Sequence, residues 1–485
     1  MSGNPQSMAR YITTTLPYVN AEPHIGHALE FVQADALARA RRLSGEDVFF
    51  STGTDEHGQK IFEAAQKEGR DVQEYVDYYA NRVQGLSQLL SLTPDNFIRT
   101  TSEGHKEAAR EMWRRCEANG DIYKKQYTGL YCVGCEAFKT AKEIEGGLCV
   151  IHPHLALEEV VEENYFFRLS KYQAYLEEYL SRDGVIVPEW RRLEALTFVH
   201  GGLEDFSISR SVEKLSWGIS VPGDESQVMY VWFDALTDYI STLGWPSDNE
   251  GTFEKFWEKA TTLQLAGKDQ VRFQSIMWQA MLKSAGIKAT DQVFYHGFIN
   301  SGGQKMSKSL GNVISPYELV EKYGTDATRY LLLRHVHPVD DSDITWERLD
   351  EWYTAHLVNG LGNLVARVMK LAQDHLPAPV SLVELGHTID PAFFARLETF
   401  SFQEAMNEIF ALVGEADECI ASQEPFKKIK VEETADTARA DIAKLVSNVA
   451  RIALCLAPFM PSTSATVLAA VHENKKPENL FPRLP

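Results

Sequence analysis

Two short polar motifs, far apart in the chain, carry residue types that can act on a nucleoside triphosphate. The first reads His-Ile-Gly-His over 24–27, and the second reads Lys-Met-Ser-Lys-Ser over 305–309. Imidazole N–H groups and lysine ammonium groups stabilise the negative charge that develops on phosphate oxygens as pyrophosphate leaves. This combination predicts a split nucleotide site. Its predicted catalytic residues are His24, His27, Lys305 and Lys308.

The elements around the two motifs suit these roles. The apolar run 11–16 reads as a strand, and the segment after the first motif has the spacing of a helix. The start of such a helix offers backbone N–H groups and a positive dipole end to phosphate. Gly26 leaves room there for a nucleotide ring, whereas the glycines at 302–303 and 311 allow the second loop to swing over a substrate. Gly26 and Ser307 complete the predicted ATP contacts of the two motifs.

Each motif alone has a simpler explanation. Two histidines three residues apart can be ordinary surface side chains of a helix or a pair of metal ligands, and a lysine-rich loop can be a solvated basic segment. The two motifs in this order, each beside the strand, helix or glycines that its role requires, favour the nucleotide site.

With their surroundings, the motifs resemble the class I aminoacyl-tRNA synthetases, and most closely the methionyl family. The supporting segments are Leu-Pro-Tyr at 16–18, Gly-Thr-Asp-Glu-His-Gly at 53–58, Val-Trp-Phe-Asp-Ala-Leu at 231–236 and Gly-Lys-Asp at 267–269. The resemblance covers nearly the whole chain. It implies ATP-dependent ligation of L-methionine to its tRNA through a methionyl-adenylate, with Mg²⁺ accompanying ATP.

The resemblance also implies roles for individual residues. Those that it places around methionine are Leu16, Tyr18, Asp55, Trp232, Ala235, Tyr239 and Gln274. Leu16, Tyr18 and Asp55 would hold the ammonium group, and the aromatic side chains would shape the thioether pocket. The resemblance further implies that Gly267 and Asp269 contact the ribose of ATP and that Arg210 takes part in adenylate formation.

Elementary chemistry bears on two of these positions independently. Asp55 follows the short buried strand 48–50, and open parallel sheets bind ligands beyond the carboxyl ends of their strands. An aspartate at that place can also cap a helix. Trp232 can be a plain core aromatic. Because the methionine sulfur is only a weak acceptor, its selection depends on shape and sulfur–aromatic contact, which an aromatic pocket provides.

Two departures from the family leave the amino-acid substrate open. Gln270 and Gln274 stand where the family commonly has isoleucine and histidine. A glutamine still forms hydrogen bonds, and we interpret both as variation among methionyl enzymes. Ligation of isoleucine, valine, leucine or cysteine remains an alternative, as do a tRNA-binding paralogue without catalysis and a small-molecule nucleotidyltransferase of similar fold.

Three cysteines and a histidine have the spacing of a metal site. Cys132, Cys135, Cys149 and His152 form the pattern C-x2-C-x13-C-x2-H, which allows two knuckles to meet at one tetrahedral zinc ion. We predict a single structural zinc, because four protein ligands close the coordination sphere. His154 is a second choice for the fourth ligand. Six cysteines in 485 residues and a polar segment over 1–8 argue against disulfides.

Beyond Pro316 the pattern becomes helical, and a helix bundle is expected from Trp346 onward. On one of its helices, Asn363 and Arg367 lie four residues apart and therefore on one face. The resemblance makes these two residues and Phe426 the readers of the tRNA anticodon. Phe426 replaces the family's usual tryptophan and keeps a stacking face for a base. A helix-surface salt bridge is the alternative explanation for Arg367.

The expected architecture is an α/β protein: a Rossmann-type parallel-sheet catalytic domain with an inserted zinc-knuckle connective domain, followed by an all-α anticodon-binding helix bundle. The predicted segments are 8–116 and 196–315 for the two halves of the catalytic domain, 117–195 for the insertion, 316–345 for a linking helical segment and 346–485 for the bundle.

Composition agrees with a protein that has several cores. The chain is 44% apolar, and its 48 basic and 68 acidic residues give a formal net charge of −20. This charge predicts weak non-specific binding to nucleic acid, although a local basic groove can coexist with it. No apolar run reaches the roughly 18 residues of a membrane span. We expect a cytoplasmic monomer whose partners are tRNA(Met), ATP and L-methionine.

Overall fold

The computed structural model describes residues 9–135, 137–139, 143–306, 312–381 and 391–484. The chain forms two compact units. The first consists of Met1–Pro23, Glu46–Gly85 and Pro94–His296, and the second of His24–Gly45, Leu86–Thr93 and Gly297–Pro485. The five segments predicted from the sequence remain a prediction, since this division does not test their boundaries.

The strands and helices are numbered in chain order. The strands are β1 (Ala9–Thr13), β2 (Asp47–Thr54), β3 (Asn96–Arg99), β4 (Ile122–Cys132), β5 (Ala137–Lys139), β6 (Ile144–Glu145), β7 (Leu148–Cys149), β8 (Glu158–Phe167), β9 (Ile186–Val187), β10 (Phe206–Ser207), β11 (Ser209–Ser211), β12 (Ser220–Val221), β13 (Asp224–Met229), β14 (Thr261–Gly267), β15 (Gln292–His296), β16 (Ile299–Ser301), β17 (Gln304–Lys305) and β18 (Ser342–Asp343). The α-helices are α1 (Ile25–Leu43), α2 (Gln59–Lys67), α3 (Val72–Leu89), α4 (Glu103–Ala118), α5 (Gln173–Leu180), α6 (Glu189–His200), α7 (Val231–Ala235), α8 (Asp238–Ser241), α9 (Trp278–Ser284), α10 (Pro316–Tyr323), α11 (Thr325–His335), α12 (Trp346–Trp352), α13 (Asn363–His375), α14 (Pro391–Glu398), α15 (Phe402–Gln423), α16 (Pro425–Lys428), α17 (Ala435–Leu456) and α18 (Pro461–Glu473).

A six-stranded parallel sheet organises the first unit, in the order β3-β2-β1-β14-β15-β9. Its central strands bury most of their side chains, as parallel sheets covered on both faces require; Tyr11 and Ile12 of β1 are examples. The strand order reverses between β1 and β14. Ligands bind beyond the carboxyl ends of the strands at such a switch point. The predicted site segments 16–18, 55–58 and 267–269 all lie at this edge.

The remaining strands of the first unit are antiparallel. One sheet has the order β10-β8-β4-β5, another has the order β11-β13-β12, and β6 pairs with β7. The long pairing of β4 with β8 ends near Cys132, which carries the first of the predicted metal ligands. A common apolar core includes Trp113, Trp257 and Trp278, all fully buried.

The second unit is mainly helical. It contains α1, the helices from α10 onward and a small sheet of order β17-β16-β18. A fully buried ion pair joins Arg329 of α11 to Asp35 of α1 at 2.8 Å. The Arg329 guanidinium also donates to the backbone carbonyls of Leu90, Pro458 and Phe459. These bonds fix α1 and α11 to the turn between α17 and α18.

The expected fold class is confirmed, with a parallel α/β sheet and a helical carboxyl-terminal region. The linking helices expected after Pro316 are present as α10 and α11. Helix α10 begins at a Ser315–Glu318 capping box with Pro316 in its first turn, so its start is encoded locally. Among the described residues, every helix is too short or too polar to cross a membrane.

Candidate active site and metal centre

The histidine motif forms the cap of helix α1. His24 is the N-cap residue; its Nδ1 accepts a hydrogen bond from the Gly26 amide at 3.1 Å, and its own amide donates to His27 Nδ1 at 3.3 Å. The two rings stack with their centroids 3.8 Å apart. Because both Nδ1 atoms accept, the neutral imidazoles carry their hydrogens on Nε2. The pair can therefore donate two N–H groups to an anion.

In the structure, Gly26 leaves space for a neighbouring side chain, whereas the sequence suggested space for a nucleotide. A Cβ at this position would lie 2.9 Å from Cε1 of the His24 ring. The absence of a side chain thus allows the His24 imidazole to fold back over its own helix terminus. The predicted room for a nucleotide ring is a separate role that stays a prediction.

The lysine motif is described only in part. Ser307 and Lys308 lie outside the described residues, as does the side chain of Lys305, so their roles stay predictions. The backbone of Lys305 pairs with Asn300 in a tight hairpin. Gly302 and Gly303 form its turn with φ values of 64° and 74°, which favour glycine. The motif therefore begins in the second strand of a hairpin whose turn favours glycine.

Asp55 and Tyr18 lie side by side at the edge of the parallel sheet. The Asp55 amide donates to the Pro17 carbonyl at 3.0 Å, and the Val19 amide donates to the Asp55 carbonyl at 3.1 Å. This bridge continues the β1–β2 pairing by a few residues beyond the strands. Asp55 is 6% exposed, whereas Leu16 and Tyr18 are half-buried. Tyr18 and Asp55, two of the three residues predicted to hold an ammonium group, are thus brought together, and Leu16 lies two residues before Tyr18.

The aromatic residues predicted around the thioether also form one group. The Trp232 indole stacks on Phe273 at 3.7 Å between ring centroids, with an angle of 11° between the planes. Gln274 Nε2 donates to the Tyr239 hydroxyl at 2.7 Å. Tyr239, Gln274 and Ala235 are all buried. Gln274 therefore takes a defined place in this wall, although it departs from the family pattern.

Gly267 and Asp269 follow β14 at the switch point. A Cβ on Gly267 would lie 2.7 Å from Asp269 Oδ1. The exposed Asp269 carboxylate thus turns back toward the strand end, into the space that a side chain at position 267 would occupy. Gln270 Nε2 donates to Asp269 Oδ2 at 3.1 Å, which gives the second departing glutamine a local partner.

Arg210 contacts two aromatic rings. Its guanidinium lies 5.0 Å from the centroid of Tyr131 and 4.7 Å from that of Tyr230. It also donates to the Ser207 hydroxyl and the Ser209 carbonyl. Arg210 is 6% exposed. Its cation–π contact with Tyr131 holds it beside the strand that ends at Cys132.

The four predicted metal ligands converge. The donor atoms of Cys132, Cys135, Cys149 and His152 all lie within 4.8 Å of one another. Cys135 Sγ is 3.5 Å from Cys149 Sγ and 3.2 Å from His152 Nδ1. A tetrahedral zinc site has sulfur–sulfur and sulfur–nitrogen separations of about 3.8 and 3.6 Å, so this donor set fits zinc. A Cβ on Gly134 would lie 2.6 Å from the His152 ring, which explains the glycine between the first two ligands.

Lys60 is a residue that sequence reasoning missed. Its Nζ donates to the carbonyl of Gly134 at 2.6 Å and lies 5.9 Å above the centroid of the Tyr18 ring. It therefore links the cluster of candidate metal ligands to the predicted ammonium site. The only signal in the sequence was its position two residues after the 53–58 segment, which is too weak to assign a partner at Gly134.

The predicted anticodon residues are exposed on the helical unit. Asn363 and Arg367 lie on the outer face of α13, and Phe426 on α16 is 37% exposed. Arg367 forms an ion pair with Asp417 of α15 at 3.2 Å. Burial raises the pKa of Asp417, and the charge of Arg367 opposes this shift. Arg367 thus forms a surface salt bridge, which was the alternative explanation for this residue, but the partner lies on α15 and not on the same helix.

Comparison with known proteins shows the family to which this chain belongs. The chain matches the family described as tRNA synthetases class I (M) over residues 10–160 and 148–369. It is 39% identical over 477 residues to the methionine–tRNA ligase of Rhizobium meliloti, covering 95% of this chain and 91% of that protein. It is 41% identical over 475 residues to the enzyme of Brucella suis, covering 94% and 90%.

A solved structure extends the similarity to three dimensions. The Mycobacterium tuberculosis methionyl-tRNA synthetase in complex with methionyl-adenylate superposes with a TM-score of 0.89 at 36% identity, covering 95% of this chain and 93% of that chain. The parallel sheet, the two motifs and these matches define a class I tRNA synthetase. Within that class, the chain belongs to the methionine–tRNA ligase family. The resemblance inferred from the sequence, and the ligase activity that it implies, are confirmed.

Proposed function

We propose that the chain joins L-methionine to tRNA(Met) with ATP through a methionyl-adenylate, and that the residues assembled at the carboxyl edge of the parallel sheet bind the amino acid. The observation that carries this assignment is that one unit contains both the Asp55–Tyr18 bridge and the stacked rings of Trp232 and Phe273. A carboxylate for an ammonium group and an aromatic surface for a thioether are the two features that free methionine requires.

In the first step, a methionine carboxylate oxygen forms a bond to the α-phosphorus of ATP, and the bond from that phosphorus to the bridging oxygen of pyrophosphate breaks. His24 and His27 donate from Nε2 to phosphate oxygens as charge develops. Lys305, Lys308 and Arg210 add positive charge. Gly26, Ser307, Gly267 and Asp269 hold the nucleotide, whose phosphate charge a Mg²⁺ ion bound with ATP would partly neutralise.

In the second step, a terminal ribose hydroxyl of tRNA attacks the acyl carbon, and AMP leaves with the electrons of the broken acyl–phosphate bond. Catalysis in both steps depends on positioning and charge stabilisation, without a covalent enzyme intermediate. We assign reading of the anticodon to Asn363, Arg367 and Phe426, since unstacked bases are read by hydrogen bonds and stacking.

The cluster of Cys132, Cys135, Cys149 and His152 is proposed to hold one structural zinc ion, because four protein ligands leave no position for a substrate. Zinc would fix the knuckle whose Gly134 carbonyl receives the Lys60 ammonium group. We further propose that the domains follow the five predicted segments, and that the protein acts as a monomer in the cytoplasm.

ATP–pyrophosphate exchange with a panel of amino acids tests the substrate assignment. Methionine should support exchange, and isoleucine, valine, leucine and cysteine should be poor substrates. Asp55→Asn should raise the KM for methionine by about 10- to 100-fold, the value of a charge-assisted hydrogen bond. Asp205→Asn makes the same chemical change at a carboxylate that accepts from Tyr123 and Ser170, and it should leave this KM unchanged.

Preferred exchange with another amino acid would move the substrate assignment to that acid. Equal effects of Asp55→Asn and Asp205→Asn would remove Asp55 from the pocket. Exchange without formation of charged tRNA would point instead to the small-molecule nucleotidyltransferase considered from the sequence.

A further inference from the structure

A single buried carboxylate, Asp234, joins three separate parts of the first unit. Its Oδ2 lies 2.7 Å from His57 Nδ1, and its Oδ1 lies 2.7 Å from His105 Nε2. His57 follows β2, Asp234 belongs to α7, and His105 belongs to α4. All three side chains are at most 4% exposed. A carboxylate removed from water in this way is stable only when both of its oxygens are satisfied.

The directions of the hydrogen bonds among His57, Asp234 and His105 follow from the charge of the carboxylate. Burial alone would raise the pKa of Asp234, but the two imidazoles lower it to about 2. An ionised carboxylate only accepts, so His57 donates from Nδ1 and His105 donates from Nε2. The other ring nitrogen of His105 lies 2.9 Å from the Ser241 Oγ. Both rings thus direct an N–H group at the same carboxylate.

The two ends of this network lie next to the proposed methionine pocket. His57 comes two residues after Asp55, and Asp234 comes two residues after Trp232. The backbone of α7 is fixed as well, since the amides of Phe233 and Asp234 both donate to the Tyr230 carbonyl. A change in the His57–Asp234 distance would therefore change the separation of the pocket's carboxylate from its indole.

The neighbouring residue anchors the same loop in another direction. The Glu56 carboxylate accepts from Arg99, Thr54 and Thr101, and its backbone carbonyl accepts from the Trp217 indole at 2.6 Å. Glu56 thus fixes the loop toward β3, and among the side-chain hydrogen bonds described here it is His57 that fixes the loop to α7. Because Glu56 and His57 hold the loop in different directions, the loss of one should affect the loop differently from the loss of the other.

We propose that His57 and Asp234 are positioning residues for methionine. Their hydrogen bond sets the spacing between Asp55 and Trp232, and His105 holds Asp234 in place through its other carboxylate oxygen. This inference rests on the proposed function, because it assumes that Asp55 and Trp232 line the methionine pocket. Neither His57 nor Asp234 needs to contact the substrate. The effect should fall on methionine binding and not on ATP binding.

The test is steady-state ATP–pyrophosphate exchange with the full chain, in which KM for methionine, KM for ATP and kcat are measured separately. His57→Leu removes the donor and should raise KM for methionine roughly tenfold or more, with little change in KM for ATP. His57→Asn places an amide N–H near the former Nδ1 position and should recover part of the loss. Asp234→Asn keeps the shape but forces one imidazole to accept, so it should also raise KM for methionine.

Asp121→Asn is the matched control. Asp121 is an equally buried carboxylate of the same unit and accepts from Asn119, Tyr172, Lys171 and Ser284. Its substitution should lower the melting temperature without raising KM for methionine. If His57→Leu fails to fold, the comparison of His57→Asn and Asp234→Asn with Asp121→Asn decides the question.

The inference is overturned if His57→Leu or Asp234→Asn changes only thermal stability, or raises both KM values equally. Asp55→Asn separates this failure from that of the proposed pocket. If Asp55→Asn raises KM for methionine while both network variants leave it unchanged, only the positioning role is wrong. If Asp55→Asn also leaves it unchanged, the proposed pocket itself is wrong.

Discussion

The proposed methionine pocket of the first unit and the proposed anticodon face of the second use charged side chains in opposite ways. Asp234 is fully buried and is held by two imidazoles, whereas Arg367 is 44% exposed and pairs with the half-exposed Asp417. A buried charge that loses its partner keeps the full cost of desolvation. An exposed charge regains water, so its pairing changes the free energy by less than about 1 kcal/mol.

This difference matches what each region binds. A small amino acid is distinguished by a rigid pocket, in which positions are fixed before the ligand arrives. Unstacked bases of a flexible RNA loop are read by exposed hydrogen-bonding groups and aromatic faces, which need to exchange partners on binding. The second unit also contains buried charges, and these allow the comparison to be tested within one compact unit.

Arg329→Met should give the largest effect. The guanidinium of Arg329 is fully buried and bonded to Asp35 and to three backbone carbonyls. Asp35 keeps its ion pair with Arg39 but loses one of its two charged partners, and three backbone carbonyls lose their donor, so the free energy of unfolding should fall by about 3–5 kcal/mol. Arg367→Met removes an arginine from the same unit and should cost less than about 1 kcal/mol. Urea denaturation followed by circular dichroism measures both, and similar losses for the two variants would contradict the contrast between buried and exposed charge.

Gly134→Ala should weaken the proposed zinc site. Its new Cβ would lie 2.6 Å from the His152 ring and would push this ligand away from the three thiolates. Disturbing the support of a metal ligand typically costs 10- to 100-fold in affinity, or about 1.4–2.8 kcal/mol. Gly104→Ala is the control, since a Cβ there meets no described atom within 4 Å. Competition with a chelator measures the affinity, and equal zinc retention by both variants would show that His152 does not need this glycine.

The contrast between local and distant partners also explains which features can be predicted from the sequence and which cannot. The His24–His27 cap and the C-x2-C-x13-C-x2-H pattern are formed by residues close in sequence, so their spacing is informative. The helix starts at Ser315–Pro316 are local for the same reason. The partners of Asp234 lie 177 and 129 residues away, and Asp417 lies 50 residues from Arg367. No periodicity connects such positions, and only the folded sheet and bundle bring them together.

Glycine shows a second limit of sequence reasoning. The sequence identified Gly26 as a site of close approach but assigned that approach to a nucleotide. In the structure, the atom that a Cβ would meet belongs to His24. A glycine indicates that space is needed, and the neighbour that needs the space is known only from the fold.

Asp238→Asn should change how stability depends on pH. Burial raises the pKa of Asp238 well above its ordinary value of 3.8, and the nearby charge of Asp234 raises it further. The folded state therefore keeps a proton that the unfolded chain loses above pH 3.8, so stability falls as pH rises from that value toward the raised pKa. The slope reaches up to about 1.4 kcal/mol per pH unit. Asparagine resembles the neutral acid and should remove this slope, which melting temperatures across pH 4–7 would reveal; identical pH profiles for variant and parent would refute the assignment.

Asp417→Asn should give the smallest effect and should act on binding. Without the carboxylate, the Arg367 guanidinium is released toward RNA and one negative charge near the phosphates is lost, so affinity for tRNA should rise. The gain should stay below about 1 kcal/mol, or roughly fivefold, and should shrink with added salt. Asp374→Asn removes the same charge from an ion pair with Lys370 on helix α13. Filter binding at two salt concentrations distinguishes the two carboxylates. An equal gain in tRNA affinity from Asp374→Asn would attribute the effect to net charge. A gain confined to Asp417→Asn would attribute it to the exposed Arg367 guanidinium, which, unlike the buried Arg329, can exchange its partner for RNA.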